Sequence, residues 1–312
     1  MNEKAIYIFT CNNSTKLKSV VTELSVFNKA YSINIIDDSS ESNIIQENKN
    51  ISQIFDSTTY LGREMFIEFY NLKESKSNSE QYLGDETWNL GIARSFALDY
   101  STHNQFEKVL FVDDDISEIE QKIVLEGFSI LNKGNFVSCN IGGVEDDSIV
   151  GHISKRLNII DKNSRMLSGG FLFLTPSSIN HHFYNIYNED WIMQFLEQDK
   201  KRILMPFFVK HNADKNVKWN MNQVFFQEVG EIVVDGLFSS KDAFLMDSIF
   251  WDNIIENRNN DIEYLKQCAS QANIKEYYDI CSGLCVWLNQ INGQLILETI
   301  KNNRYDRTKF KI

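Results

Sequence analysis

Three consecutive acids, Asp113-Asp114-Asp115, follow the apolar run Val109-Leu110-Phe111-Val112. They stand where a buried strand should end. Alternate residues of an extended segment point the same way, so Asp113 and Asp115 can share one ligand. Two convergent carboxylates suit a hard divalent cation, which prefers oxygen ligands. A plainer reading is helix capping, because Ser117 and Glu120 have the spacing of a capping box and a helix start favours acids. Capping accounts for those two residues and does not require three successive like charges. An EF-hand is disfavoured, since Glu118 stands where its loop needs glycine.

The elements that must position these acids read as alternating strands and helices. Ala5 to Phe9 is a buried strand, and Asn13-Ser14-Thr15 caps a helix over Lys16 to Phe27. A β-branched strand, Ser32 to Ile36, ends at Asp37-Asp38-Ser39-Ser40, and residues 41 to 60 read as loop plus a short helix. Helices are expected over Thr87 to Tyr100 and Ser117 to Leu131, and strands over Val109 to Val112 and Phe136 to Cys139. Ser168-Gly169-Gly170 leads into the strand Phe171 to Leu174. Asn188-Glu189-Asp190 opens a helix over Trp191 to Gln198, and Ile203 to Val209 is an apolar strand. This alternation implies an α/β fold with a mostly parallel sheet. Ligands of such sheets bind outside the carboxyl ends of the strands, where both acidic clusters would lie. Asp37-Asp38 therefore reads equally as a turn and as a nucleotide contact.

Beyond about residue 230 long helical stretches take over, such as Ala243 to Asn257 and Ile262 to Ala272. The expected division is a catalytic domain over residues 1–230 and a helical subdomain over residues 231–312. The chain has 312 residues and a net charge of -12, which argues against a general nucleic-acid binder, since counterion release needs clustered cations. Five cysteines without a CxxC pair fit reduced thiols better than a disulfide framework. No targeting segment or membrane span is visible, so a cytoplasmic protein is expected, with peripheral membrane contact left open.

The ordered set of motifs resembles the nucleotide-sugar glycosyltransferases of the GT-A fold, family-2-like. The resemblance rests on Thr10-Cys11-Asn12-Asn13, Ile36-Asp37-Asp38-Ser39-Ser40, Gly91-Ile92-Ala93-Arg94, Asp113-Asp114-Asp115, and Gly169-Gly170 followed by Asn188-Glu189-Asp190-Trp191, over residues 4 to 210. It implies that Thr10, Gly169 and Gly170 take part in binding, with Gly169-Gly170 resembling the acceptor loop, and that Asp37 or Asp38 contacts the base or ribose. Arg94 is implied near the phosphates, against the plain reading of a surface arginine. Asp113 would meet the ribose or sugar. Asp115, in the family's Asp-x-Asp (DXD) motif, would hold Mn2+ or Mg2+ with Asp113 and with His211 as a further candidate ligand. Of the Glu189-Asp190 pair, Asp190 is implied as the base that deprotonates a hydroxyl acceptor (saccharide, lipid-linked glycan or protein), with inversion. The plain reading of that pair is an Asn188-capped helix whose first turn favours acids. His152, His181 and His182 are weaker ligand candidates, and Asp114 is expected to matter least. The first-strand loop departs from the family, which usually carries a proline there, and the tail matches nothing in it.

Two rivals remain on sequence. Val109 to Ser117 also resembles the strand end of haloacid-dehalogenase phosphohydrolases, with Asp113 as nucleophile, although two strand-helix units precede it here. A non-catalytic binding module would keep the fold without turnover.

Overall fold

The computed structural model describes residues 3–55, 58–69, 89–143, 148–159, 166–212 and 220–303. In chain order the elements are β1 (Lys4–Thr10), α1 (Ser14–Leu24), β2 (Ser32–Asp37), α2 (Ser42–Ile54), β3 (Thr58–Gly62), α3 (Arg63–Phe69), α4 (Leu90–His103), β4 (Lys108–Asp113), β5 (Ile116–Ser117), α5 (Gln121–Ile130) and β6 (Asn135–Gly143). Then follow α6 (Ile149–Arg156), β7 (Phe171–Leu174), α7 (Glu189–Leu196), β8 (Lys201–His211), α8 (Met221–Ser239), α9 (Ser248–Gln271), α10 (Lys275–Leu288) and α11 (Gly293–Asn302).

One sheet runs in the order β3-β2-β1-β4-β7-β6-β8-β5. The strands β3, β2, β1 and β4 are parallel, as are β6 and β8, while β7 and β5 run against their neighbours. The central strands read as unbroken apolar runs because helices cover both faces of the sheet. Ile6 and Ile8 face the α1/α5 side, and Tyr7 and Phe9 face the α4 side, with every residue from Ala5 to Phe9 buried. In register, Thr10 lies opposite Asp37 and Phe9 opposite Asp113. Both acidic strand ends thus flank the end of β1, as the parallel pattern implied.

Several local expectations need correction. The polar stretch after Ser40 forms the 13-residue α2 and then the edge strand β3, not mostly loop. The Ser117/Glu120 capping box does not form. Ser117 belongs to β5, Glu118 turns through a left-handed φ of 58°, and the helix begins at Gln121. A distant partner overrides the local signal: Ile116 is buried and pairs with His211 of β8, and the Ile119 amide donates to Glu23 Oε2 at 2.9 Å. Asn188 stands at the N-cap of α7 but makes no side-chain cap, for it adopts φ 64° and its side chain donates to Glu231 instead. The apolar strand expected over Ile203 to Val209 does form, within β8, with Leu204 and Phe208 exposed. Pro206 falls at a bulge, where Met205 pairs with Cys139 and Phe208 with Asn140. A residue without an amide hydrogen is tolerated there. The expected helix start at Thr87 lies outside the described residues.

The helices after β8 form a second layer, with Trp251 fully buried among them. Position 230 lies inside α8, and residues from α6, α7 and the segment before α7 share that layer's apolar cluster. No helix among the described residues is long and apolar enough to cross a membrane.

Candidate functional site

A cavity of about 550 Å³ opens at the carboxyl ends of β1, β2 and β4. The first turn of α4, the segment entering β7, the start of α7 and the end of β8 close it. Its lining includes Thr10, Asp38, Arg94, Asp113, Asp114, Asp115, Gly170, Glu189, Asp190 and His211. Asp37, Gly169 and the weaker candidates His152, His181 and His182 are not among its lining residues.

At the β2 end the two neighbouring acids part ways, as period-two geometry requires. Asp37 is buried, and its carboxylate accepts from the Ser39 amide at 2.9 Å, Asn48 Nδ2 at 2.9 Å and the Tyr60 hydroxyl at 2.7 Å. It holds α2 and β3 to the strand. Asp38 faces the cavity, where Asn89 Nδ2 donates to both its oxygens at 3.1 Å and Arg63 Nε lies at 3.5 Å. Burial pushes its carboxyl up to about 6, although the Asn89 hydrogen bond and Arg63 pull the other way. Asn89 was missed in the sequence. The only signal was its place just ahead of α4, where it makes no side-chain cap.

In the middle of the cavity Arg94 is only 2% exposed, which overturns the surface reading. Its Nη2 donates to Asp113 at 2.8 and 3.0 Å, and its Nη1 to Glu189 at 2.5 Å. The guanidinium also sits 5.5 Å from the centre of the Phe9 ring. One fixed cation thus ties β4 to α7 across the cavity. Gly169 is required beside it: a Cβ there would lie 2.2 Å from Arg94 Nη1 and 2.7 Å from Asp190 Cβ. The Gly169 amide donates to Asp190 Oδ2 at 2.5 Å, and the Trp191 amide to Asp190 Oδ1 at 2.8 Å. Burial raises the carboxyls of Glu189 and Asp190, with the charge of Arg94 opposing in both.

At the β4–β8 end, Asp115 Oδ2 lies 3.1 Å from His211 Nε2. The short β5–β8 ladder brings these two together, and the Asn212 amide donates to the Asp115 carbonyl at 2.7 Å. Burial alone would raise the Asp115 carboxyl, yet the His211 hydrogen bond and nearby Lys16, 4.0 Å away, hold it below the ordinary range. Asp113 is not part of this pair, because Arg94 takes both its oxygens. Among the described residues no three acidic, histidine or cysteine side chains already stand as a preformed metal cage. Asp115 and His211 nonetheless offer one oxygen and one nitrogen ligand side by side on the cavity wall. Such a pair suits a cation whose other ligands come from a bound anion and water.

Asp114, the acid given least weight in the sequence, is held at the cavity wall. It lines the cavity, its carboxylate accepts from Thr10 Oγ1 at 2.5 Å, and its amide donates to the Phe9 carbonyl. Burial pushes it up to about 7; the Thr10 hydrogen bond opposes the shift, and Asp115 and Asp113 add to it. His181 and His182 are paired with Glu197 and Asp99 away from the cavity, each at 2.8–2.9 Å.

Because Asn89 and Arg63 oppose the effect of burial on Asp38, Asn89→Ala is expected to raise the Asp38 pKa further. Carbon-13 NMR of the aspartate carboxyls in wild type and variant checks this.

No protein-family profile matches the chain. No curated protein matches it in sequence. Among solved structures, the mannosyltransferase PcManGT from Pyrobaculum calidifontis, described in complex with GDP-Man and Mn2+, is similar with a TM-score of 0.51 at 11% identity, covering 96% of this chain and 86% of that one. Mannosyl-3-phosphoglycerate synthase from Rubrobacter xylanophilus is similar with a TM-score of 0.50 at 13% identity, covering 74% of this chain and 72% of the other. Likeness at such low identity speaks to architecture alone, and it agrees with the sheet order and the cavity at its strand ends: the chain has the GT-A fold.

Proposed function

We propose that the protein is a metal-dependent glycosyltransferase that moves a sugar from a nucleotide-sugar donor, a UDP-sugar, to a hydroxyl acceptor with inversion. The observation that carries this reading is one cavity with the Asp115–His211 pair on one wall and Asp190, braced beside Arg94, on another. A metal site and a base on separate walls are what an in-line displacement at a sugar carbon needs. Mn2+ or Mg2+, when bound, supplies a Lewis acid for the diphosphate leaving group. Asp115 and His211 would hold it, together with oxygens of the donor.

Asp38 would accept from the base, with Asp114 and Thr10, on the same cavity wall, along the nucleoside. Asp113 and Glu189 fix Arg94, and through it the floor under the sugar. Asp190 takes the acceptor proton. Its raised carboxyl moves toward the working pH, which improves a general base. A phosphohydrolase with Asp113 as nucleophile is less well supported, because that carboxylate is committed to Arg94.

A thermal-shift panel of UDP, GDP, CDP and dTDP sugars, with and without Mn2+, tests the reading. A UDP-sugar should stabilise the protein only when metal is present. Stabilisation by none of the panel, or equal stabilisation in excess EDTA, would sink it. Asp190→Asn should keep the donor-induced shift and lose roughly 10²–10⁴-fold in transfer, read as UDP release with acceptor present; unchanged release would remove Asp190 as the base.

The raised Asp38 carboxyl gives a pH signature. With its folded value near 6 and its ordinary value at 3.8, the proton stabilises the fold below about 4, and that contribution is lost as pH rises through 6. Base binding runs the opposite way, because it needs the anion. Nucleotide affinity should fall about tenfold between pH 7.5 and pH 5, measured by titration calorimetry, and Asp38→Asn should flatten that dependence.

A further inference from the structure

The segment from Phe183 to Asn188 runs into the Glu189–Asp190 pair, and it is gripped from two sides. On the sheet side, the Phe183 amide donates to Ser95 Oγ of α4 at 3.0 Å. On the other side the helical layer grips it. The Tyr184 ring lies 5.2 Å from that of Phe244, and the Asn185 amide donates to the Asn303 carbonyl at 3.3 Å. At Gly230 of α8 a Cβ would sit 2.2 Å from the Tyr187 carbonyl oxygen, so the helix backbone rests directly on the segment. One residue on, Asn188 Nδ2 donates to Glu231 Oε1 at 3.3 Å. Arg258 of α9 lies 3.9 Å from Glu231 and also pairs with Glu228 and Asp235, which fixes α8 against α9.

Asn188 is where the path of the chain is decided. It is left-handed, with φ 64° and ψ 30°, and its carbonyl accepts from the Ile192 amide at 3.0 Å to start α7. The direction in which α7 leaves this residue sets where Glu189 meets Arg94 and where Asp190 meets Gly169. We infer that α8 and α9, through Gly230 and the Glu231–Arg258 pair, are positioning elements that aim the Asp190 carboxylate into the cavity. The helical layer is then part of the catalytic apparatus without touching substrate. A misplacement of about 1 Å at a catalytic group can cost about 10²-fold in rate, so loosening this grip should appear in turnover.

The kinetic side of this inference rests on the glycosyltransferase reading; the geometric side does not, and hydrogen–deuterium exchange on the full chain separates them. Glu231→Ala should speed exchange about tenfold in peptides covering residues 168–170 and 187–192, and leave peptides over residues 108–113 at the wild-type rate. Glu231→Gln keeps an oxygen acceptor for Asn188, while Arg258 stays held by Glu228 and Asp235, and should restore it. Gly230→Ala should act in the same direction and more strongly, and if that variant does not fold the Glu231 pair still decides. Under the transferase reading, Glu231→Ala should lower kcat about tenfold with donor KM unchanged. Wild-type exchange at 187–192 in Glu231→Ala, an equal rise across the sheet, or local loosening with full kcat would each overturn the inference. A wild-type protein without transferase activity, with the local exchange pattern intact, would count against the proposed reaction and leave the positioning standing.

Discussion

Asp115→Asn is expected to abolish metal-dependent turnover, by at least roughly 10³-fold, with little change in thermal stability. The substitution keeps the size of the side chain and its hydrogen bond to His211, so the β5–β8 corner has no reason to open. What it removes is the anionic oxygen that, beside an imidazole, makes the wall a cation site. Two measurements check it. Mn2+ binding in the presence of nucleotide, followed by electron paramagnetic resonance, should weaken sharply. The donor-induced rise in Tm should no longer depend on metal. Full activity in Asp115→Asn, or unaltered Mn2+ affinity, would remove Asp115 from the metal site. His211→Ala should weaken Mn2+ in the same assay, since the two side chains face the same point.

How much of this site could be read from the sequence depended on whether a local rule was enough to place the residue. The ends of β2 and β4 were legible because a run of apolar residues meeting consecutive acids has few alternatives in a parallel sheet. Asp38 and Asp115 followed from that. The split between Asp37 and Asp38 did not, since it turns on Asn48 and Tyr60, whose carboxylate partner is chosen by packing of α2 and β3. The failed capping box at Ser117 has the same origin. Its four residues satisfy a helix-start pattern, but a buried Ile116 and the approach of β8 from 95 positions away decide the backbone. That displacement is also what supplies His211.

The partners of Arg94 and the role of the helical tail were the two largest gaps. An arginine on a helix reads equally as a phosphate contact and as a surface residue until its partners are known, and here they lie 19 and 95 residues distant. The tail looked like an appendage because its own periodicity is self-sufficient. Its interface with residues 184 to 188 combines the Tyr184–Phe244 contact and buried Ile186 with a glycine, backbone groups and one asparagine, and the polar part leaves no hydrophobic pattern.

Replacing Arg94 by methionine is expected to be the most damaging single change in the chain, and its cost should depend on pH in a particular direction. The side chain is buried with Glu189, which is 3% exposed, and faces Asp113 and Asp190 as well. Methionine fills similar space but leaves these acids without their cation. Removing one partner of a buried pair costs about 3–5 kcal/mol, because the orphaned charge has no water to return to. Glu189 and Asp190 can escape by taking up protons, so their folded pKa values should climb further above the ordinary range. A carboxyl raised in the folded state contributes stability below its unfolded value and loses it as pH rises through the folded value. The deficit of Arg94→Met relative to wild type should therefore be small near pH 5 and grow toward pH 8, as read from urea unfolding midpoints at each pH. Adding Glu189→Gln should recover part of the loss at pH 8 and little at pH 5, since it deletes the charge that Arg94 no longer answers. Activity should not return in the double variant, because nothing then holds Asp113 and α7 in register across the cavity. A deficit independent of pH would mean that Arg94 acts through packing alone, and its place as the electrostatic tie between β4 and α7 would have to be given up.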